Sequence, residues 1–180
     1  KKYRDFYNSF KKNNMNWNPV HYFLKRYHSP NLHPNELKRM LNLWLPFILN
    51  RIKIQSISDD FTNIHVLLKH SFWNRNPNKS VWGGSIASVL DPFFPIMIKQ
   101  IILRKGMHTD FFSKSVNVDF IKQVQSNILF HFTITTTEIA SAEKALQHEG
   151  KYEGWHSVSG EDSNGNICVK GKIQVYLRKR

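Results

Sequence analysis

Cysteine is nearly missing from the 180-residue sequence: Cys168 stands alone, which excludes an intramolecular disulfide and any cysteine-built zinc or iron–sulfur centre. Acidic residues are also scarce, 13 against 26 lysines and arginines, for a formal net charge of +13. The nine histidines show no His-x-x-x-His spacing. His65, His70 and His131 fall in strand-like stretches, where surface or satisfied core positions are the ordinary reading, so no metal and no cofactor is expected. Ser85 and Ser88 lack a Gly-x-Ser-x-Gly elbow, which argues against a serine hydrolase. Long unbroken apolar runs are absent too. Leu41–Leu49 is short, and Ile86–Leu103 is interrupted by Asp91, Pro92, Pro95 and Lys99, so neither is expected to span a bilayer. The chain opens Lys-Lys-Tyr-Arg-Asp with no apolar run behind it, so no signal peptide is expected and a soluble cytoplasmic protein is.

What is present is enough for a folded domain. Hydrophobic residues make up 41% and aromatics 13%, too rich for a disordered chain in spite of the charge. The positive excess is unevenly placed. Residues 1–53 hold eleven Lys and Arg against Asp5 and Glu36, whereas residues 54–180 hold fifteen against eleven acids. This predicts a basic helical extension over residues 1–50 on a more balanced domain over residues 51–180. In the extension Lys1, Lys2, Arg4, Lys11, Lys12, Lys25 and Arg26 interleave with Phe6, Tyr7, Phe10, Trp17 and Tyr22. That mixture is compatible with a solvated helix face, and it also suits a binding module for nucleic acid or an anionic membrane, whose binding would weaken steeply with salt.

Periodicity supplies the architecture. Asn18-Pro19 reads as an N-cap and first helical residue of a helix running to about Tyr27, and a second helix starts near Pro34 with Glu36 in its first turn. Leu37, Met40, Leu41, Trp44 and Ile48 recur at three- and four-residue spacing, with Pro46 expected to kink or end that helix. From Arg51 the period becomes two: Ile52, Ile54 and Ile57, then Ile64, Val66 and Leu68, with Asp59-Asp60 as a turn between them. Residues 71–82 read as a loop, and an apolar helix of about Gly84 to Arg104 follows. Alternation returns at Val116, Val118 and Phe120 and at Ile128 to Ile134, followed by a short helix over Glu138–Glu149 ended by Gly150. Strands near Glu153–Gly160 and Ile167–Leu177 flank the hairpin signal Asn164-Gly165. The connections are too short for crossovers, so the fold class is α+β, an antiparallel sheet wrapped around one long central helix.

One segment carries chemistry. Asn76, Gly83, Gly84 and Asp91 occur at the spacing that resembles the central motif of hotdog-fold acyl-CoA thioesterases of the phenylacetate-pathway type. Trp73-Asn74-Arg75-Asn76, Trp82-Gly83-Gly84-Ser85 and Asp91-Pro92-Phe93 together resemble the thioesterase-like hotdog family DUF4442, over roughly residues 30–180. The resemblance implies a hotdog homodimer or dimer of dimers that hydrolyses or binds a fatty or aryl acyl thioester of CoA or an acyl carrier protein. It implies a composite site with Asp91 as general base or nucleophile on one chain, Gly84 on the other, and Asn76 nearby. The histidine that precedes the glycines in those enzymes is replaced here by the Val81-Trp82 region, so side-chain hydrogen bonding at that point is missing. A hotdog dehydratase would need a positioned histidine, and none is evident.

Elementary physics fits that chemistry. Adjacent glycines let a substrate approach the backbone, and the first N–H groups of a helix, here Gly84 and Ser85, can hold a developing oxyanion. Trp82, Gly83, Ser85, Ile86, Phe93 and Phe94 are the expected substrate-binding residues. The acyl chain is expected beside the central helix among Phe93, Phe94, Ile86 and the inward side chains of Ile128–Ile134, with affinity rising per methylene. Asp91 lies seven residues past Gly84, about 10 Å along a helix. Three plainer readings stay open: Asp91-Pro92 as an N-cap and first-turn proline, Gly83-Gly84 as a tight turn, and Asn76 as a turn residue.

Overall fold

The computed structural model describes residues 26–180; the helix expected to begin at Asn18 and the interleaved basic and aromatic residues up to Lys25 lie outside them. Chain order runs α1 (Pro34–Asn42), α2 (Leu45–Asn50), β1 (Ile52–Ile57), β2 (Asn63–Leu68), a single 3-10 turn (Phe72–Asn74), α3 (Gly83–Leu90) and α4 (Phe93–Arg104). Then come β3 (Thr109–Phe120), β4 (Ile128–Thr133), α5 (Thr136–His148), β5 (Lys151–Glu161) and β6 (Ile167–Lys179). Six strands form one sheet in the order β1-β2-β4-β5-β6-β3, every neighbouring pair antiparallel. Gly165 takes φ +77 in the β5–β6 turn, the left-handed conformation that the Asn-Gly signal anticipates.

Pro46 separates α1 from α2 by opening the second helix, where a missing N–H leaves no intrahelical acceptor unpaired. The expected central helix is two helices in line, with Asp91 and Pro92 at the joint. By length and composition Gly83–Arg104 is apolar enough to cross a bilayer, but its surface is mostly buried in the protein as a core element. Every residue of α4 from Phe93 to Leu103 is buried, as a helix apolar all round requires. The curved sheet supplies Ile64, Val66, Phe130, Phe132, Ile173 and Val175 to this core, and α1 and α2 add Leu37, Leu41 and Phe47. Gly171 on β6 allows a close helix–sheet approach: a Cβ there would lie 2.6 Å from a methyl carbon of Leu90.

Two buried polar residues on α4 share one acceptor. The Lys99 ammonium and the Gln100 amide both donate to the Tyr27 carbonyl, at 2.6 and 2.9 Å, and the ammonium sits 4.0 Å from the centre of the Tyr27 ring. The two sheet edges differ. At β1 the Asn42 side chain pairs with both backbone groups of Ile54, and Lys38 donates to the Gln55 carbonyl, so that edge is blunted. β3, twelve residues long, pairs only with β6 and presents its other edge unpaired among the described residues.

Candidate functional site

The loop from Ser71 to Trp82 is a rigid shelf. Asn74, 3% exposed, donates to the carbonyls of Asn50 and Lys69 at 3.0 and 2.9 Å and accepts from the Ser71 N–H and hydroxyl. The Asn76 carboxamide oxygen accepts from the Ser80 N–H and hydroxyl at 3.1 and 3.0 Å, closing the 76–80 turn. The turn reading of Asn76 therefore holds for that oxygen, while its Nδ2 has no hydrogen-bond partner among the described residues. Trp82 N–H donates to the Asn74 carbonyl and Val81 N–H to that of Val124, which aims the chain into α3.

Gly83 and Gly84 are the first two residues of α3, and among the described residues neither N–H has a partner. The expected donor pair needs correction: the Ser85 N–H is committed to the Trp82 carbonyl at 3.0 Å, so the free pair is Gly83 and Gly84. Exposed aromatic rings face both glycines. A Cβ on Gly84 would lie 2.4 Å from the Trp82 indole, and one on Gly83 would lie 3.2 Å from the Phe120 ring. Glycine is thus needed for close approach, with rings of this chain over it. Asn76, Ser80, Gly83, Ile86 and Phe120 line one cleft of about 430 Å³.

Asp91 sits elsewhere. Its N–H still donates to the Ala87 carbonyl, its backbone stays helical, and α4 is capped by Pro92. The N-cap reading of Asp91 is therefore corrected: the carboxylate caps nothing, is exposed, and has no hydrogen-bond or ion-pair partner among the described residues. It borders a second, apolar groove of about 470 Å³ with Tyr27, Leu41, Trp44, Ile96 and Phe111. One chain does not gather Asn76, Gly84 and Asp91 around a single point.

The other expected substrate residues are placed as follows. Trp82 is exposed over Gly84, and Ile86 lines the Asn76 cleft although little of it reaches solvent. Ser85 is fully buried and donates its hydroxyl to Asn50 at 2.7 Å, a tie between α3 and α2. Phe93 packs on Phe47 and Phe132, and Phe94 packs on Phe132 and His156, so both fill the core and line neither cavity. The expected acyl channel along Phe93 and Phe94 is closed by this packing, and the open apolar surface runs along Tyr27, Trp44 and Phe111 instead.

Reading the sequence missed His156, which is buried and bridges Glu138 (2.8 Å) and the Tyr152 hydroxyl (3.2 Å). Burial lowers its pKa, with Glu138 acting in the opposite direction; burial raises that of Glu138, but its hydrogen bonds from the Thr135 hydroxyl and N–H, with the charge and hydrogen bond of His156, outweigh this and hold it low. The available signal was the two-residue period of Tyr152, His156 and Val158 on the inner face of β5. Among the described residues no group of three or more His, Cys, Asp or Glu is placed to hold a metal ion.

Solved structures share this fold at low identity. A Chlorobaculum tepidum protein of unknown function matches with a TM-score of 0.69 and 15% identity, over 84% of this chain and 100% of its own. Zebrafish thioesterase superfamily member 2 matches at 0.59 and 15%, over 82% and 99%. The Escherichia coli PaaI protein of the phenylacetic acid degradation operon matches at 0.56 and 13%, over 81% and 91%. The architecture is thus the hotdog fold that these proteins share. No curated protein matches the sequence significantly. The family model described as a domain of unknown function, DUF4442, matches residues 35–177, most of the chain, and the protein belongs to that family.

Proposed function

We propose that the protein binds an acyl thioester of CoA or a carrier protein, in the cytoplasm, and hydrolyses it at a site completed by a second copy of the chain. The observation that carries this reading is how the two halves of the site lie along the open β3 edge. Asp91 lies at one end, where its carbonyl accepts from the Ser113 hydroxyl, and Gly83 lies at the other, against Phe120. Antiparallel pairing of two β3 edges centred near Val116 sets position 112 of one chain opposite position 120 of the other. The Asp91 groove of each chain then faces the Gly83–Gly84 amides of its partner, twice by symmetry.

The chemistry follows from those groups. The thioester carbonyl rests on the Gly83 and Gly84 N–H donors at the positive end of α3. Asp91 takes a proton from a water as its oxygen adds to the carbonyl carbon, and the oxyanion forms against the two amides. Collapse re-forms the carbonyl, breaks the carbon–sulfur bond, and the thiolate takes the proton held by Asp91. Asn76 Nδ2 donates to the substrate or the attacking water, and the acyl chain lies along Leu41, Trp44 and Ile96. Asp91→Asn should lower thiol release from a panel of acyl-CoAs by about a hundredfold with the melting temperature unchanged, because this carboxylate has no structural partner among the described residues. Unchanged turnover in a folded Asp91→Asn protein would refute hydrolysis by this route.

A further inference from the structure

A patch of large apolar side chains on the described surface remains outside the thioester site. Leu43 and Leu45 are 77% and 61% exposed, and Ile48 and Leu49 on α2 are 43% and 56% exposed. Phe72 and Trp73, on the neighbouring 3-10 turn, are 80% and 76% exposed. Asn74 ties the two elements together by donating to the Asn50 carbonyl at the end of α2. Exposed apolar side chains scattered singly need no explanation; six on adjoining elements do.

Beside them is a small basic cleft of about 220 Å³, lined by Asn42, Ile48, Arg51, Ile52, Lys53 and Lys69. Three cations converge there with no acid among the lining residues, and the buried Nε–H of Arg51 has no hydrogen-bond partner among the described residues. An unpaired buried guanidinium donor in such a cleft is set for an anionic oxygen acceptor. Arg75 adds a further cation 5.8 Å above the Phe72 ring.

We infer that this face docks on an anionic phospholipid membrane, with Leu43, Leu45, Leu49, Phe72 and Trp73 entering the interface and a lipid phosphate seated between Arg51, Lys53 and Lys69. Charge selects this occupant. From Leu37 to Leu90 the only acids are Asp59 and Asp60, at the turn beyond the far end of β1. A second copy placed symmetrically on the face would set these cations against each other with no carboxylate to meet them. Nucleic acid would satisfy the cations and could stack bases on Phe72 and Trp73, yet Leu43, Leu45, Ile48 and Leu49, four of the six apolar side chains, offer no ring and gain only by leaving water. A bilayer interface satisfies both parts at once. Trp44 borders both this face and the apolar groove at Asp91. If the proposed acyl groove is right, docking brings its mouth to the lipid surface; the docking itself does not depend on that reading.

The test is co-sedimentation of the full chain with vesicles of phosphatidylcholine alone and of equimolar phosphatidylcholine and phosphatidylserine. Binding is expected to the mixed vesicles, with a blue shift of tryptophan emission and weakening by salt. The triple variant Leu45→Ser, Leu49→Ser, Phe72→Ser should lose at least about tenfold in partition, because exposed apolar anchors supply the insertion. Lys53→Gln and Lys69→Gln should each lose about fivefold on the anionic vesicles. Lys170→Gln with Lys172→Gln, the same charge change on β6, should change binding little. Equal binding by wild type and both sets of variants would overturn the inference, as would no binding at all. So would a triple variant that changes only the oligomeric state in light scattering, which assigns the face to a second copy. Binding of inorganic phosphate or an oligonucleotide that these variants abolish, without vesicle binding, would overturn it as well. Turnover of a short, water-soluble acyl thioester without vesicles reads the proposed thioester site and should not respond to these substitutions, so failure of one reading is distinguishable from failure of the other.

Discussion

Asn74 shows what a single residue does for this site without touching chemistry. Its four hydrogen bonds join the end of α2, the end of β2 and the start of the loop that delivers Gly83 and Gly84 to the head of α3. Asn74→Ala leaves the Asn50 and Lys69 carbonyls without these donors in a buried site and should cost about 2–4 kcal/mol in urea denaturation. Asn74→Asp, which keeps the shape but presents an acceptor to two carbonyl oxygens, should cost a comparable amount; a loss below about 0.5 kcal/mol for both would contradict the pinning role. At this scale the sequence was partly legible. Motif spacing singled out Asp91, Gly83, Gly84 and Asn76, and among the described residues the Asp91 carboxylate, the two glycine N–H groups and the Asn76 Nδ2 have no hydrogen-bond partner. The partners of Asn74, Ser85 and His156 could not be read. Asn50 lies 24 residues before Asn74 and 35 before Ser85, and no local pattern encodes a contact that only the packed core creates.

Among the elements, two-residue alternation located β1, β2, β4 and the second half of β3, the Asn164-Gly165 signal located β5 and β6, and the three- to four-residue period located α1; the first half of β3, from Thr109, was not anticipated. The joint in the central helix was less visible: a helix buried all round has no polar face whose phase could mark a break, and only Asp91-Pro92 announces it. Lys99 is the cost of running that helix through the core with a cation aboard. Burial lowers its pKa from 10.5 to about 8, with Arg180 adding to the effect. Below about pH 8 both folded and unfolded chains hold the proton and the full burial cost is present. Between there and 10.5 the unfolded chain binds more protons, so stability rises with pH, by about 3 kcal/mol in all. Lys99→Met should remove that rise, so that the variant's advantage over the wild type is largest near neutral pH and shrinks toward about pH 10. Denaturation midpoints of the two proteins at both pH values check this, and a pH-independent difference would contradict it.

At the scale of the molecule, antiparallel order and the wrapped central helix were legible from connection lengths, and the family resemblance over residues 30–180 agrees with the match over residues 35–177. Which edge of the sheet is open was not legible. The blunting of β1 by Asn42 and Lys38 comes from α1, ten or more residues away, while β3 carries no such cover among the described residues. The proposed site shared between two chains rests on that asymmetry, and the most direct measurement is complementation. Asp91→Asn removes the proposed base, and Gly84→Val places methyl groups against the Trp82 indole and in the proposed thioester position; each homodimer should be inactive. A purified heterodimer of the two has one interface carrying both lesions and one carrying neither, so about half of the wild-type turnover per dimer should return. No recovery in verified heterodimers made from correctly folded parent chains would contradict a site shared across the β3 edge.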